Sequence, residues 1–131
     1  MKAVLAIDIG STHCKAVVCN ENFSVLHSAQ INCPISVGLN GESEQNPETV
    51  FQVVMELIQQ SFQKAGNCIQ AISFSAAMHS LLAIDENKNV LMPALTWADT
   101  RSLHYATQLA ESSEANELYY ETGVPIHPMS P

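Results

Sequence analysis

Basic residues are scarce in this sequence: 5 Lys and Arg stand against 13 Asp and Glu, a formal net charge of −8 over 131 residues. Such a chain repels phosphate backbones and anionic lipid surfaces, which argues against a general nucleic-acid or membrane-surface binder. A phosphorylated small molecule is not excluded, because a turn of backbone amides or a metal ion reverses the field locally. Cys-x-x-Cys pairs are also missing. Without a secretory signal, Cys14, Cys19, Cys33 and Cys68 read as reduced thiols packed as small hydrophobes, not as a disulfide framework. The histidines never fall at zinc-site spacing with a cysteine or with one another. Long apolar runs are absent too. Ala3 to Ile7, cut off by Asp8, is too short for a signal-peptide core, and nothing later is long enough to span a bilayer. The cytoplasm is therefore the default expectation. There is no internal repeat and no low-complexity stretch.

Apolar residues, by contrast, make up 47% of the chain, and the length is that of one ordinary domain. A real core is expected, and disorder is not. Ala3–Ile9 is nearly all apolar and includes β-branched residues, as in a strand buried on both faces. Gly10-Ser11-Thr12 reads as a turn, Lys15–Cys19 as a second strand and Asn20-Glu21-Asn22 as another turn. In a third strand, Phe23–Asn32, residues Phe23, Val25, Ala29 and Ile31 share a face at period two, so an antiparallel three-strand meander is predicted.

Cys33 to Gln45 reads as a loop. A helix then opens with Asn46 as N-cap, Pro47 in the first turn and Glu48 at the positive dipole end. Val50, Val54, Leu57 and Ser61, with Phe51, Ile58 and Phe62 beside them, form its stripe, and Gly66 stops it. Cys68 to Ser75 reads as a strand returning parallel to the first sheet. Ser80–Ile84 and Val90–Leu95 read as a hairpin around Asp85 to Asn89. A second helix is expected to start near Asp99 and turn Leu103, Ala106, Leu109 and Ala110 inward. Glu114–Thr122 continues as helix, Gly123 closes it, and Val124 to Pro131 is extended. The pattern is α/β.

Three places can carry chemistry. In Asp8-Ile9-Gly10-Ser11-Thr12-His13-Cys14-Lys15, an acid at a strand end leads into a small-residue turn with two hydroxyls and a following cation. Gly10 permits close approach of a phosphate, Ser11 and Thr12 add donors, Lys15 adds charge, and Asp8 is placed for a hydrated Mg²⁺. A plain hairpin turn with a solvated Asp8 fits the same residues. Next, Ala76-Ala77-Met78-His79 lies between two predicted strands, where α/β sheets form ligand crevices. Met78 in the core and His79 in a turn is the plainer reading. Last comes Thr96-Trp97-Ala98-Asp99-Thr100-Arg101, which is either a polar wall for a hydroxylated ligand or an N-cap, a core aromatic and a surface cation. On the first reading, the planar fork of Arg101 suits a carboxylate.

The order of these elements resembles the FGGY carbohydrate kinases: Asp-Ile-Gly-Ser-Thr-x-x-Lys, then Glu44-Gln45-Asn46-Pro47-Glu48, then Ser-x-x-Met78-His79, then Thr-Trp97-Ala-Asp99-x-Arg101. Phe-Ser-x-Ala-Met-His-Ser, Thr-Trp-Ala-Asp-x-Arg-Ser and Gly-x-Pro-Ile-His-Pro-Met-Ser-Pro are similar to the gluconate kinase branch. Ala76-Ala77 stands where xylulose kinases tend to show Gly-Gln. The resemblance covers essentially the whole chain.

It implies an actin-like, ribonuclease-H-like fold and transfer of the ATP γ-phosphoryl group to a sugar or sugar-acid hydroxyl. Gly10, Ser11, Thr12 and His13 would face the phosphates, with Lys15 at the family's usual basic position and Asp8 organising Mg²⁺. Met78, His79, Trp97, Asp99 and Arg101 would contact substrate. It further implies that residues 1–131 are an incomplete first lobe, with the catalytic aspartate and second lobe beyond Pro131, so that this chain alone is inactive. A xylulose or polyol kinase, and a non-catalytic actin-like binding lobe, are the alternatives. If strands completing the sheet lie beyond Pro131, an exposed edge would favour self-association.

Overall fold

The computed structural model describes residues 1–128, so Met129-Ser130-Pro131 of the closing motif, and the end of the predicted extended tail, lie outside the described residues. The chain forms two compact units: Met1–Ile35 with Gln45–Ala77, and Ser36–Glu44 with Met78–Pro131.

The first unit is built on a four-stranded mixed sheet. Strands β1 (Ala3–Ile9), β2 (His13–Asn20) and β3 (Val25–Asn32) form the expected antiparallel meander, and β6 (Ile69–Ala76) joins the far side of β1 in parallel. The order is β3-β2-β1-β6. Helix α1 (Pro47–Ala65) makes the crossover between the parallel pair. Its start is as the residues dictate: the Asn46 side chain accepts from the backbone N–H groups of Glu48 and Thr49, and Pro47 stands in the first turn. Gly66 ends it at φ +58, its N–H donating to the Phe62 carbonyl, and a 3₁₀ turn (Gly66–Cys68) leads into β6.

One face of this sheet meets α1. Alternate residues Ala3, Leu5 and Ile7 of β1, and Cys14, Ala16 and Val18 of β2, are buried with Cys33 against Val53, Val54 and Leu57. Leu57 is wholly buried, a contribution of about 2 kcal/mol by area. Ser61 lies in the same stripe, where its hydroxyl donates to the Leu57 carbonyl at 2.7 Å and meets no unsatisfied cost.

Several expectations change here. β1 is buried on one face only, because Val4 and Ala6 are exposed. β2 runs past Lys15–Cys19 at both ends. Phe23 is 90% exposed at φ +60 and is not in β3. The Asn20 carboxamide accepts from the N–H groups of Asn22 and Ser24, tightening a turn that throws Phe23 outward. Phe51 and Phe62 flank the helical stripe from the solvent side, both exposed.

In the second unit, the predicted loop Cys33 to Gln45 contains a small hairpin, β4 (Ser36–Val37) with β5 (Ser43–Gln45), and β7 (Ala94–Leu95) extends it in the order β4-β5-β7. The expected 80–95 hairpin is reduced to two antiparallel bridges, Leu81 with Leu95 and Ile84 with Val90. Its tip is as read: the Asp85 carboxylate accepts from the Asn89 carboxamide and from the N–H groups of Asn89 and Asn87, which lowers the pKa of Asp85. Helix α2 spans Leu103–Ala110, not from Asp99, and has Ser102 at its N-cap. Leu103, Leu109 and Ala110 are exposed, so only Ala106 of the predicted inward residues is half-buried. Helix α3 (Ala115–Thr122) ends as expected on Gly123, in the left-handed region at φ +68.

Candidate functional site

Asp8 is the penultimate residue of β1, on the sheet face opposite α1. Register sets Lys15 of β2 on one side of it and Ser75 of β6 on the other. These residues, with Ala6, Val17, Ser73 and the edges of Ile7 and Phe74, line a groove of about 220 Å³. Ser73 and Ser75 were not singled out from the sequence. Their alternation was visible, but only the parallel register of β6 against β1 brings them to Asp8.

The turn beyond β1 is closed by a hydrogen bond from Gly10 N–H to the His13 carbonyl at 3.1 Å. A Cβ on Gly10 would lie 2.7 Å from that same oxygen, so close backbone approach requires glycine here. The amide of Gly10 is therefore committed within the turn. The Thr12 hydroxyl meets His13 Nδ1 at 3.1 Å, the Thr12 carbonyl accepts from Cys33 N–H at 2.8 Å, and the Ser11 carbonyl accepts from the Gln45 carboxamide at 2.7 Å. Gln45, directly before the α1 cap, thus fixes the turn from the helix side. Thr12 and Lys15 face solvent.

Mg²⁺ takes one or two carboxylates, keeps several waters and shares substrate oxygens. Asp8 beside two serine hydroxyls in an open groove fits that mode. No group of three or more His, Cys, Asp and Glu able to cage a metal occurs among the described residues.

In the second unit, the core reading of Met78 fails, since the side chain is 72% exposed. His79 sits at φ +59, a left-handed conformation uncommon outside glycine. It borders an apolar pocket of about 560 Å³ with Ser102, Tyr105, Leu109 and Ile126. Trp97, Asp99 and Arg101 are not among the residues lining that pocket.

They belong to a separate polar cluster. Asp99 is buried; its Oδ2 accepts from Ser43 N–H at 3.0 Å, and its Oδ1 accepts from Arg101 N–H at 3.1 Å. The Arg101 guanidinium donates through Nε to both Asp99 oxygens, and through Nη2 to Asp99 Oδ2 and Glu44 Oε1, both at 2.6 Å. Ser43 and Thr96 hydroxyls pair beside them at 2.7 Å. The Arg101 hydrogen bonds, against the cost of burial, hold the Asp99 carboxyl down at about 2, and the two carboxylates raise the pKa of Arg101. Asp99 is thus no helix cap but the knot that fastens the 96–101 turn to β5. Nη1 of Arg101 takes part in none of these bonds. Ser43 and Glu44 were missed as members of this cluster, because partners more than fifty residues apart leave no local signal. Trp97 is half in water, which rules out the core reading.

The architecture is that of the actin-like sugar kinases. The structure superposes on gluconate kinase from Lactobacillus acidophilus with a TM-score of 0.93 at 32% identity, covering 99% of this chain and 26% of that one. The score is also 0.93 for ligand-bound xylulose kinase from the same organism, at 31% identity over 100% of this chain and 27% of that one. In sequence, the chain is 44% identical to a gluconokinase of Bacillus subtilis over 98% of its own length, and 33% identical to a xylulose kinase of that species over 85%. Residues 3–131 match the N-terminal domain of the FGGY family of carbohydrate kinases. The chain belongs to that family, a family of phosphotransferases. It spans about a quarter of the length of the curated relatives it matches.

Proposed function

We propose that this chain is the N-terminal part of the first lobe of a gluconate kinase, which transfers the γ-phosphoryl group of ATP to D-gluconate, giving 6-phosphogluconate and ADP in the cytoplasm. The observation that carries this reading is the 44% identity to a gluconokinase across 98% of the chain, against 33% across 85% for a xylulose kinase. Among the described residues, no helix is long and apolar enough to cross a membrane.

The Gly10–His13 turn and Lys15 serve the phosphates, with Ser11 and Thr12 hydroxyls as donors. Asp8 would hold Mg²⁺, which when bound would supply positive charge against the phosphate oxygens. Ser73 and Ser75, lining the same groove, would offer hydroxyls beside it. Met78 and His79 contact the sugar acid, and Trp97, Asp99 and Arg101 form its wall. Two carboxylates already offset the charge of Arg101, so in this role it gives direction through Nη1 more than charge. Phosphoryl transfer needs base, metal and nucleotide held together, and the base is expected from polypeptide beyond this chain.

A xylulose kinase is the second reading, favoured by the equal TM-scores. A substrate panel on the complete enzyme decides between them: gluconate turnover well above xylulose supports the first, and the reverse order overturns it. Asp8→Asn in that enzyme should cut kcat far more than it raises substrate KM; an unchanged kcat would remove the metal role. This chain alone should release no ADP above background with ATP and gluconate.

A further inference from the structure

The sequence places Cys14 and Cys33 nineteen residues apart, yet the fold brings their sulfurs to 3.1 Å, both buried in the core of the first unit. Cys14 is on β2 and Cys33 directly follows β3. The Cys33 N–H to Thr12 carbonyl bond continues the β2–β3 ladder past its last paired residues and holds the two side chains on one face. A disulfide needs about 2.0 Å between sulfurs, a closure of roughly 1 Å. Cys19 and Cys68 lie outside this pair, and the Cys68 thiol donates to the Ala65 carbonyl.

We propose that Cys14 and Cys33 are a modification site: a dithiol that hydroperoxides convert to a reversible disulfide, locking the strand that leaves the Gly10–His13 turn to the chain that leaves β3. One sulfur, as thiolate, attacks a peroxide oxygen, giving a sulfenic acid and, after protonation, an alcohol (water from hydrogen peroxide). The second sulfur then attacks the sulfenic sulfur, and hydroxide departs with the second thiol's proton as water. Two thiols and one hydroperoxide give one disulfide, one alcohol and one water, with two electrons passing from sulfur to the O–O bond. The site does not depend on what the turn binds.

Burial also sets the rate. Desolvation first, then the Cys33 thiol and the negative charge of Asp8, push the Cys14 thiol from 9 up to about 12, so its thiolate is scarce at neutral pH while the fold is closed. Closure therefore proceeds through local opening of the chain after β3.

The test exposes this chain to hydrogen peroxide at pH 7, alkylates the remaining thiols and digests at both lysine and glutamate. Cleavage after Lys15 and Glu21 puts Cys14, Cys19 and Cys33 on three different peptides. The expected result is a Cys14–Cys33 linked pair two hydrogens lighter, reversed by a dithiol reductant. It should form more slowly than in the urea-unfolded chain and speed up at sub-denaturing urea. The double variant Cys19→Ser, Cys68→Ser should give the same link. Recovery of Cys14 and Cys33 unlinked, or linked to Cys19, from a chain whose near-ultraviolet circular dichroism shows it folded would overturn the proposal. So would loss of the link in the double variant.

Discussion

Replacing Asp99 by Asn keeps size and shape but asks one amide to do the work of two oxygens. Oδ1 and Oδ2 accept from two different backbone N–H groups, those of Arg101 and Ser43, while the guanidinium spans both. An amide offers one acceptor and one NH₂, so either orientation points a donor at a donor and leaves a buried N–H unpaired. The size of the loss follows from linkage. The folded carboxyl sits at about 2 against 3.8 in the unfolded chain, so it stabilises the fold fully above pH 4 and loses that effect as pH falls through 2. The difference corresponds to about 2 kcal/mol at pH 7 and roughly half of that at pH 3. Because 39% of the Arg101 side chain stays in water, this is a ceiling for the ion-pair part. Trp97 is the only tryptophan, two residues from Asp99, so its fluorescence reports unfolding of this unit in urea. The Asp99→Asn midpoint should fall by about 1 M at pH 7, taking a slope of about 2 kcal/mol/M, and the gap should narrow toward pH 2. Equal midpoints at pH 7, or a gap as wide at pH 2 as at pH 7, would refute the reasoning.

Leu57→Ala removes a wholly buried side chain from the α1 seam and should cost about 2–5 kcal/mol, whereas Phe51→Ala on the exposed flank should stay within about 0.5. Urea titrations followed by far-ultraviolet circular dichroism separate the two, and similar costs would mean the helix is rotated. Gly10→Ala drives a methyl to within 2.7 Å of the His13 carbonyl and should cost about 1–3 kcal/mol, read as a Tm lower by several degrees. An unchanged Tm would show that the turn relaxes at no cost.

What the residues disclosed in advance was mostly local. The Asn46-Pro47-Glu48 entry of α1, the Gly123 stop and the Asp85 turn tip act through partners a few positions away, and all three form as read. The β1-β2-β3 meander and the parallel return of β6 were also legible, because turn residues and crossover length restrict topology. Alternation alone misled at Phe23, where period two continued into a turn that Asn20 controls. Asp99 misled differently: an acid before a helix looks like a cap, but a buried carboxylate takes the strongest donors within reach, and these came from Ser43 and Arg101. Of the candidate site, the Asp8 turn was visible as a motif. Its companions Ser73 and Ser75, and the neutralisation of Arg101 by Glu44, depended on contacts between distant stretches.

The placement of β1 in its sheet also fixes an order of assembly. Its pairing with β2, and that of β2 with β3, joins residues within the first 32, so that ladder can close while most of the chain is still unmade. Its other edge waits for Ile69, and every contact across the parallel seam then closes a loop of more than sixty residues. During synthesis, at about 5–20 residues per second, the central strand spends seconds half-paired with its apolar edge open.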